Sequence, residues 1–167
     1  MAELTRKGLL AGGMAGAAAL AAAPSAQAHG GRGNDDIVGS WFATITATDP
    51  PLGSFASLMS WHEGGVFTES RRYYSPATPL GPLLETSGHG AWKRTGSRNY
   101  SAFFRFLIQE APPSAGAPLG TDNIRLAVRL DRDGDAYTGT FESNIRDLSG
   151  AVVFTARGTV AAERITV

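Results

Sequence analysis

The feature that most constrains the fold is a two-residue alternation of side chains that begins near residue 37 and continues to the C-terminus. In the segment 99–110, one set of alternate positions is entirely apolar: Tyr100, Ala102, Phe104, Phe106 and Ile108. Successive side chains of a β-strand point to opposite faces, so this pattern is typical of antiparallel strands with one buried face. Helical spacing is nearly absent from the same region. The sequence therefore predicts an all-β fold.

The alternation divides into eight strand segments separated by turn residues. Asp133-Gly134 lies between two of them and predicts a tight hairpin, because glycine adopts positive φ without strain. Eight antiparallel strands leave two exposed edges unless the sheet closes on itself. We therefore expect a closed eight-stranded up-and-down barrel, whose interior takes side chains or one small ligand. The predicted strands are 38–48, 54–62, 65–74, 87–94, 99–110, 122–132, 136–147 and 151–165.

The residues before the barrel predict export from the cell. Arg6-Lys7 begins a basic head, an apolar run extends from 8 to 23, and small residues lead to Ala28, which is the plan of a signal peptide. The basic pair followed by Gly8-Leu9-Leu10 resembles a twin-arginine motif with lysine in the second position. An ordinary export signal also begins with basic residues, so both routes stay open. We expect a signal peptide at 1–28, a flexible tether at 29–36 and the barrel domain at 37–167.

Charge and cysteine content limit the partners of the exported chain. The whole chain has 15 basic and 15 acidic residues. Loss of Glu3, Arg6 and Lys7 with the signal peptide leaves a formal charge of −1. This balance argues against nucleic acid as a partner. The apolar run at 8–23 is too short and too rich in small residues for a membrane span, and we expect no stable span once the signal peptide is cleaved. The chain has no cysteine, so its core alone must stabilise it.

One motif resembles a known superfamily. Gly39-Ser40-Trp41 lies at the start of the first predicted strand and is similar to the G-x-W pattern of calycins, which include lipocalins, fatty-acid-binding proteins and avidins. The resemblance implies that Trp41 closes one end of the barrel and that a basic residue of the last strand, here Arg164, packs over its ring. The chain lacks the helix that follows the barrel in lipocalins and the helical lid of fatty-acid-binding proteins. Its layout is closest to avidin, with too few tryptophans for a biotin site.

Polar residues on the third and fourth predicted strands are the candidates for a site. Glu69, Arg71 and Tyr73 share one face of the segment 65–74, and convergent polar groups in an apolar pocket are the usual pattern of a ligand site. The other face is also partly polar, so the sequence does not decide which face points inward. His89 lies between two glycines, and an imidazole there could exchange a proton near neutral pH. We therefore name His89 and Glu69 as candidate catalytic residues.

The expected ligand-binding residues combine that polar face with an apolar wall: Arg71, Tyr73, Tyr100, Phe104 and Phe106. Long proline-rich connections at 75–86 and 111–121 belong to the same end of an up-and-down barrel as the connection at 49–53. Long loops with apolar residues are often binding loops. The sequence thus predicts a loop-rich mouth opposite a plain floor that contains Trp41.

The candidate metal-binding segments of the sequence lack the residue spacing or rigidity that a metal site requires. The acidic run from Asp131 to Asp135 lacks the glycine and glutamate positions of a calcium loop, and it is better interpreted as a hairpin. His29 would become the new N-terminus, where a histidine can bind copper, but two glycines follow it and cannot fix a geometry. Phosphate loops, dinucleotide fingerprints and serine-nucleophile motifs are also absent from the sequence. We therefore expect no metal and no cofactor.

Three functions stay open. The first is a binding barrel that holds one small, largely apolar molecule in its lumen. The second is a cofactor-free cyclase or isomerase that shapes an apolar substrate while His89 or Glu69 moves a proton. The third is a structural or interaction module whose lumen is filled by its own aromatic side chains. An empty lumen of several hundred Å³ would exclude the third hypothesis. The sequence predicts neither the ligand nor the oligomeric state.

Overall fold

A computed structural model of the chain describes residues 36–71, 83–111 and 116–167. The predicted signal peptide and most of the predicted tether lie outside these residues. The described part contains one short 3-10 helix at Glu63–Gly65, and no helix in it is long and apolar enough to cross a bilayer. Its strands are β1 (Gly39–Asp49), β2 (Gly53–Trp61), β3 (Val66–Arg71), β4 (Leu83–Glu85), β5 (Gly88–Arg94), β6 (Asn99–Glu110), β7 (Pro118–Leu130), β8 (Ala136–Asp147) and β9 (Val152–Arg164).

The strands close into an antiparallel barrel, as the sequence predicted. β1 pairs with β2 on one side and with β9 on the other, so the first and last strands are neighbours. β4 and β5 both pair with β6, and the amide of Thr86 between them donates to the carbonyl of Leu107. They therefore occupy one position in the barrel as two pieces of one interrupted strand. The described strands fill eight positions, in the order β1, β2, β3, β4 with β5, β6, β7, β8 and β9.

Most strand boundaries lie within one or two residues of the prediction, and two differences are more informative. β7 begins at Pro118, four residues before the predicted start, because β8 continues to Asp147 and supplies pairing partners as far as Gly120. The short strand β4 lies in a segment that was predicted to be a loop, and it pairs with the last three residues of β6. In both places the pairing partner determines the strand, although the local sequence lacks an apolar alternation.

Aromatic side chains fill the barrel from its floor to beyond its middle. The largest fully buried side chains include Trp41, Trp61, Phe67, Phe104 and Tyr137. Their rings pack against one another, with centroid distances of 4.8 Å between Trp41 and Tyr137 and 4.6 Å between Phe67 and Phe104. Such ring pairs stabilise the fold beyond the effect of their buried area, and together they fill the interior of the barrel at this end.

Candidate binding site at the loop-rich end of the barrel

The charged side chains of β3 point into the barrel. Phe67, Glu69 and Arg71 point inward, whereas Val66 and Ser70 are exposed on the outer surface. The orientation that the sequence left open is therefore settled for these residues. Tyr73, the third member of the predicted polar face, lies outside the described residues.

Arg71 is the centre of a buried ion cluster, which we define as Arg71, Glu69, Glu85 and Asp122. Glu85 holds the guanidinium with two oxygens, at 2.6 Å from Nε and 2.9 Å from Nη2. Asp122 Oδ2 accepts from Nη2 at 3.1 Å, and Glu69 Oε1 lies 3.7 Å from Nη1. All four side chains are at least nine-tenths buried. One cation thus faces three carboxyl groups in a site with little water.

Aromatic rings and hydroxyl groups complete the surroundings of the cluster. The Arg71 guanidinium lies 4.2 Å from the centre of the Phe106 ring and 5.5 Å from that of Phe55. Ser143 donates to Asp122 Oδ1 at 2.7 Å, and Ser57 donates to Glu69 Oε1 at 2.8 Å. The rings lower the local polarity and strengthen electrostatic interactions within the cluster.

The cluster retains protons that ordinary carboxyl groups lose. Burial raises the pKa of Glu69 to about 7, because it outweighs the nearby Arg71 and the hydrogen bond from Ser57. Burial also raises the pKa of Asp122 to about 6, against the opposing effect of Arg71. Burial disfavours the charged form of Arg71 itself, but its carboxylate neighbours dominate and keep its pKa above the ordinary value. Near neutral pH, protons therefore replace part of the missing positive charge.

A small cavity, here called the cup, lies between the cluster and the loop-rich end. Its volume is about 30 Å³. Its polar wall consists of Arg71, Glu85, Asp122 and Ser143. Its apolar wall includes Leu52, Phe55, Phe141, Ile145, Phe154 and Ala156. The cup therefore combines a few convergent polar groups with a mostly apolar lining, which is the common composition of a ligand site.

Glu69 lies next to the cup without lining it, because it is two residues further from the loop-rich end than Arg71. Its Oε2 atom is fully buried and has no hydrogen-bond partner among the described residues. An unpaired buried carboxyl oxygen is costly unless the group is protonated, which agrees with its raised pKa.

The two candidate catalytic residues are not brought together. His89 is exposed on the outer surface of β5, whereas Glu69 is buried inside the barrel. The glycines beside His89 take the inward positions, and a Cβ at Gly88 would lie 2.8 Å from the Phe106 ring. These glycines make room for the core aromatics.

The predicted ligand-binding aromatics belong mainly to the packed core. Tyr100 and Phe104 are buried among other rings and do not line the cup. Phe106 contacts the Arg71 guanidinium. The sequence gives no signal for Glu85, because the pattern predicts a loop at 75–86. Asp122 is also not among the predicted site residues, although it is in phase with the inward residue Ile124 two positions later.

Trp41 and Arg164 form a second buried contact at the opposite, plain end. They are direct partners across β1 and β9, and the guanidinium lies 4.2 Å from the centre of the indole ring. Gly39 has a φ of +143°, and a Cβ there would lie 2.7 Å from Arg164 Nη1. The glycine of the G-x-W motif is therefore needed for both backbone conformation and space.

A larger concavity of about 540 Å³ lies outside the barrel, on the outer surface of β5 to β8. Its lining includes Lys93, Phe103 and Arg125 over a floor of small residues. Carboxyl groups and histidines do not line it. It is separate from the ion cluster, and the chemistry described above belongs to the cup.

Fold and site together define a closed eight-stranded antiparallel barrel with an ion-lined cup at one end. This architecture is consistent with a calycin-like fold. No protein-family model matches the chain, and neither a curated protein nor a solved structure matches it. The link to calycins therefore depends on the barrel, the G-x-W motif and the Arg164 contact.

Proposed function

We propose that this protein is an exported binding barrel that holds a small, largely apolar molecule over the cup. The observation that carries the proposal is the buried ion cluster beside a cavity with an apolar lining. The ligand's polar end contacts Glu85, Asp122 and Ser143, and its apolar part contacts the rings around them.

Stability alone is a poor explanation for the cluster. Buried ion pairs lose solvation energy that their attraction often fails to recover, and apolar replacements of similar volume are often as stable. Here two carboxyl groups have pKa values raised by burial, which means that their charged forms are disfavoured in the folded chain. Strongly perturbed groups at a cavity are typical of functional sites.

The dimensions of the cup determine how a ligand binds. A cavity of about 30 Å³ has room for roughly two water molecules, so only the end of a ligand enters it. Leu52, Phe55, Phe141 and Phe154 are only partly buried and provide an apolar surface for the remainder. The aromatic core fills the lumen nearer the floor, so we place the ligand expected in the lumen at the cup.

Export is the other part of the proposal. It is supported by the basic head, apolar run and small residues before Ala28 in the sequence. Mass determination of the mature protein from its own host tests it, with a chain beginning at His29 as the expected result and an intact Met1 as the contrary one.

Binding is tested by native mass spectrometry of the protein purified from its own host. The expected result is a retained small molecule that is lost from Ala156→Phe, because a phenyl ring there fills the cup. Ala161→Phe is the matched control, since Ala161 is exposed on the same strand. A barrel that binds no molecule from host extracts, or one equally loaded in both variants, would contradict binding at the cup.

A second candidate function is a cofactor-free isomerase or cyclase. Asp122 favours it, because this residue lines the cup and has a pKa of about 6 that permits proton exchange near neutral pH. An Asp122→Asn variant that binds a retained molecule but no longer converts it would support catalysis. Unchanged turnover would remove Asp122 from the mechanism.

The filled module remains the alternative to both. The aromatic packing of the floor and the small cup favour it, since the described lumen holds far less than several hundred Å³ of free space. It predicts that neither the parent protein nor the Ala156→Phe variant retains a small molecule.

A further inference from the structure

We infer that the cup selects molecules whose polar end is a protonated amine rather than a carboxylate. This inference rests on the proposed binding function and adds the chemical class of the ligand.

The first argument is the charge balance of the cluster. Arg71 is its cation, and the groups that face it are Glu69 from the same strand, Glu85 from β4 and Asp122 from β7. With all carboxyl groups ionised, the cluster would carry two uncompensated negative charges in a buried site. A second cation at the cup would supply part of the missing charge. A second anion would increase the imbalance.

The second argument is the hydrogen-bonding capacity of the wall. Glu85 directs both oxygens towards Arg71, and Asp122 accepts one bond from Arg71 and one from Ser143. A carboxylate oxygen has about two acceptor sites, so each of these oxygens can accept a further hydrogen bond. An ammonium group has three donors and no acceptor, and it therefore matches a wall of carboxylate oxygens.

The third argument is the size and lining of the cup. An ammonium group with its neighbouring methylene fits a space of about two water molecules. Phe141 and Phe154 line the same cavity, and aromatic faces attract cations by about 0.5–2 kcal/mol. The body of an arylamine or alkylamine would then lie against the partly exposed apolar rim.

A metal ion is a poorer match for the same charge. In the described ranges, no three carboxyl or imidazole groups lie close enough together to hold one. Arg71 lies among the carboxyl groups of the cluster and keeps them apart as ligands. An organic cation needs only hydrogen-bond acceptors and apolar contact, both of which line the cup.

The test uses benzylamine, benzyl alcohol and benzoate, which share a phenyl ring and differ in their polar end. Binding is followed by NMR titration of the folded barrel at pH 8, with the backbone amides of Asp122 and Ser143 as reporters. We expect the amine to bind at least tenfold more tightly than benzoate. We also expect its affinity to fall as the pH decreases from 8 to 5, because protons then occupy Glu69 and Asp122.

Two variants identify the site. Asp122→Asn keeps the shape of the side chain and removes one carboxylate, so it should weaken amine binding about tenfold and flatten its pH dependence. Asp133→Asn is the control, because Asp133 is exposed in the hairpin between β7 and β8. NMR spectra of the unliganded variants establish that both are folded.

The outcomes distinguish a failure of the proposed ligand class from a failure of the proposed binding function. Benzoate or benzyl alcohol binding at the cup as tightly as the amine would overturn the ligand class and leave the binding function standing. Absence of binding by all three probes would overturn the ligand class as well, and the native mass measurement then decides the function independently. Amine binding that is unaffected by Asp122→Asn would also overturn the inference.

Discussion

The two ends of the barrel hold a buried arginine in different ways. Arg164 at the plain end lies 4.2 Å from the Trp41 ring, and Arg71 at the loop-rich end lies 4.2 Å from the Phe106 ring. Arg164 donates to three backbone carbonyls, those of Asp36, Val38 and Gly134. Arg71 instead donates to carboxyl groups.

This difference in acceptors makes the contacts of Arg71 dependent on pH, whereas the hydrogen bonds of Arg164 do not depend on it. Backbone carbonyls neither gain nor lose protons, so these three hydrogen bonds of Arg164 do not depend on pH. The carboxyl group of Asp135, 3.9 Å from Arg164 Nε, is exposed and contributes little. Two of the carboxyl groups around Arg71 titrate between pH 5 and pH 8, with pKa values of about 7 for Glu69 and about 6 for Asp122. The same contact between a cation and a ring therefore closes the barrel at the plain end, and at the loop-rich end it is part of a buried cluster whose charge changes with pH.

The largest expected effect is at the plain end. Trp41→Ala should lower the free energy of unfolding by about 3–5 kcal/mol, because it removes a fully buried ring that packs on Tyr137. Urea denaturation at pH 7 measures the loss. Phe42→Ala is the control, since the neighbouring Phe42 is half-exposed on the outer surface and should lose less than about 1 kcal/mol. Equal losses would show that the plain end is not a packed floor.

At the loop-rich end, Arg71→Met should lower the free energy of unfolding by about 3 kcal/mol at pH 8, because it leaves buried carboxylates without their cation. The loss should shrink at pH 5, where Glu69 and Asp122 are largely protonated. Arg157→Met is the control, since Arg157 contacts Asp49 and Glu142 at an exposed position and should cost about 0–1 kcal/mol. A loss independent of pH would mean that Arg71 acts through packing alone.

A smaller effect is the contribution of Glu69 to the free energy of unfolding, which should fall as the pH rises. Its pKa in the folded chain is about 7, above the ordinary value of 4.5, so the folded state binds the proton more strongly than the unfolded state. The stability that Glu69 contributes is therefore fully present below pH 4.5 and is lost as the pH rises through 7. Glu69→Gln, which keeps an oxygen for Ser57, should remove part of this loss and gain on the order of 2 kcal/mol at pH 8.

The measurement for Glu69 is thermal or urea unfolding of both proteins between pH 5 and pH 8. Glu63→Gln is the control, because Glu63 is exposed in the short helix before β3. Parallel pH profiles for the parent and Glu69→Gln would refute a proton held at Glu69 in the folded chain.

The strands were predictable where the alternation of side chains was strong. The limits of β6 and β8 coincide with the segments 99–110 and 136–147, because nearly every second residue there has to be buried. Closure followed from the number of strands. These features depend on local pattern and on the general cost of exposed sheet edges.

The site was less predictable, because it depends on pairs of residues far apart in the sequence. Because both faces of β3 carry polar residues, the sequence does not predict which face points into the barrel. Packing against the other strands places Glu69 and Arg71 on the inner face. Glu85 lies in a proline-rich segment that becomes a strand through its pairing with the end of β6. Asp122 is inward by register, but nothing local indicates that it meets an arginine 51 positions away.

The smallest expected effect tests the comparison directly, through double-mutant cycles at the two ends. Trp41 with Arg164, and Phe106 with Arg71, should each show a coupling energy of about 0.5–2 kcal/mol, as a cation over a ring provides. Leu serves as the replacement for the aromatic residue and Met for the arginine, so that each single variant keeps most of the buried volume. The Trp41–Arg164 coupling should change little between pH 5 and pH 8, because the hydrogen bonds of Arg164 go to backbone carbonyls and the Asp135 carboxyl group, 3.9 Å from Nε, is exposed. The Phe106–Arg71 coupling should be larger at pH 8, because the ionised carboxyl groups hold Arg71 in place over the ring and protonation loosens that hold. Equal pH dependence at both ends would contradict the distinction between a fixed and a titratable arginine site.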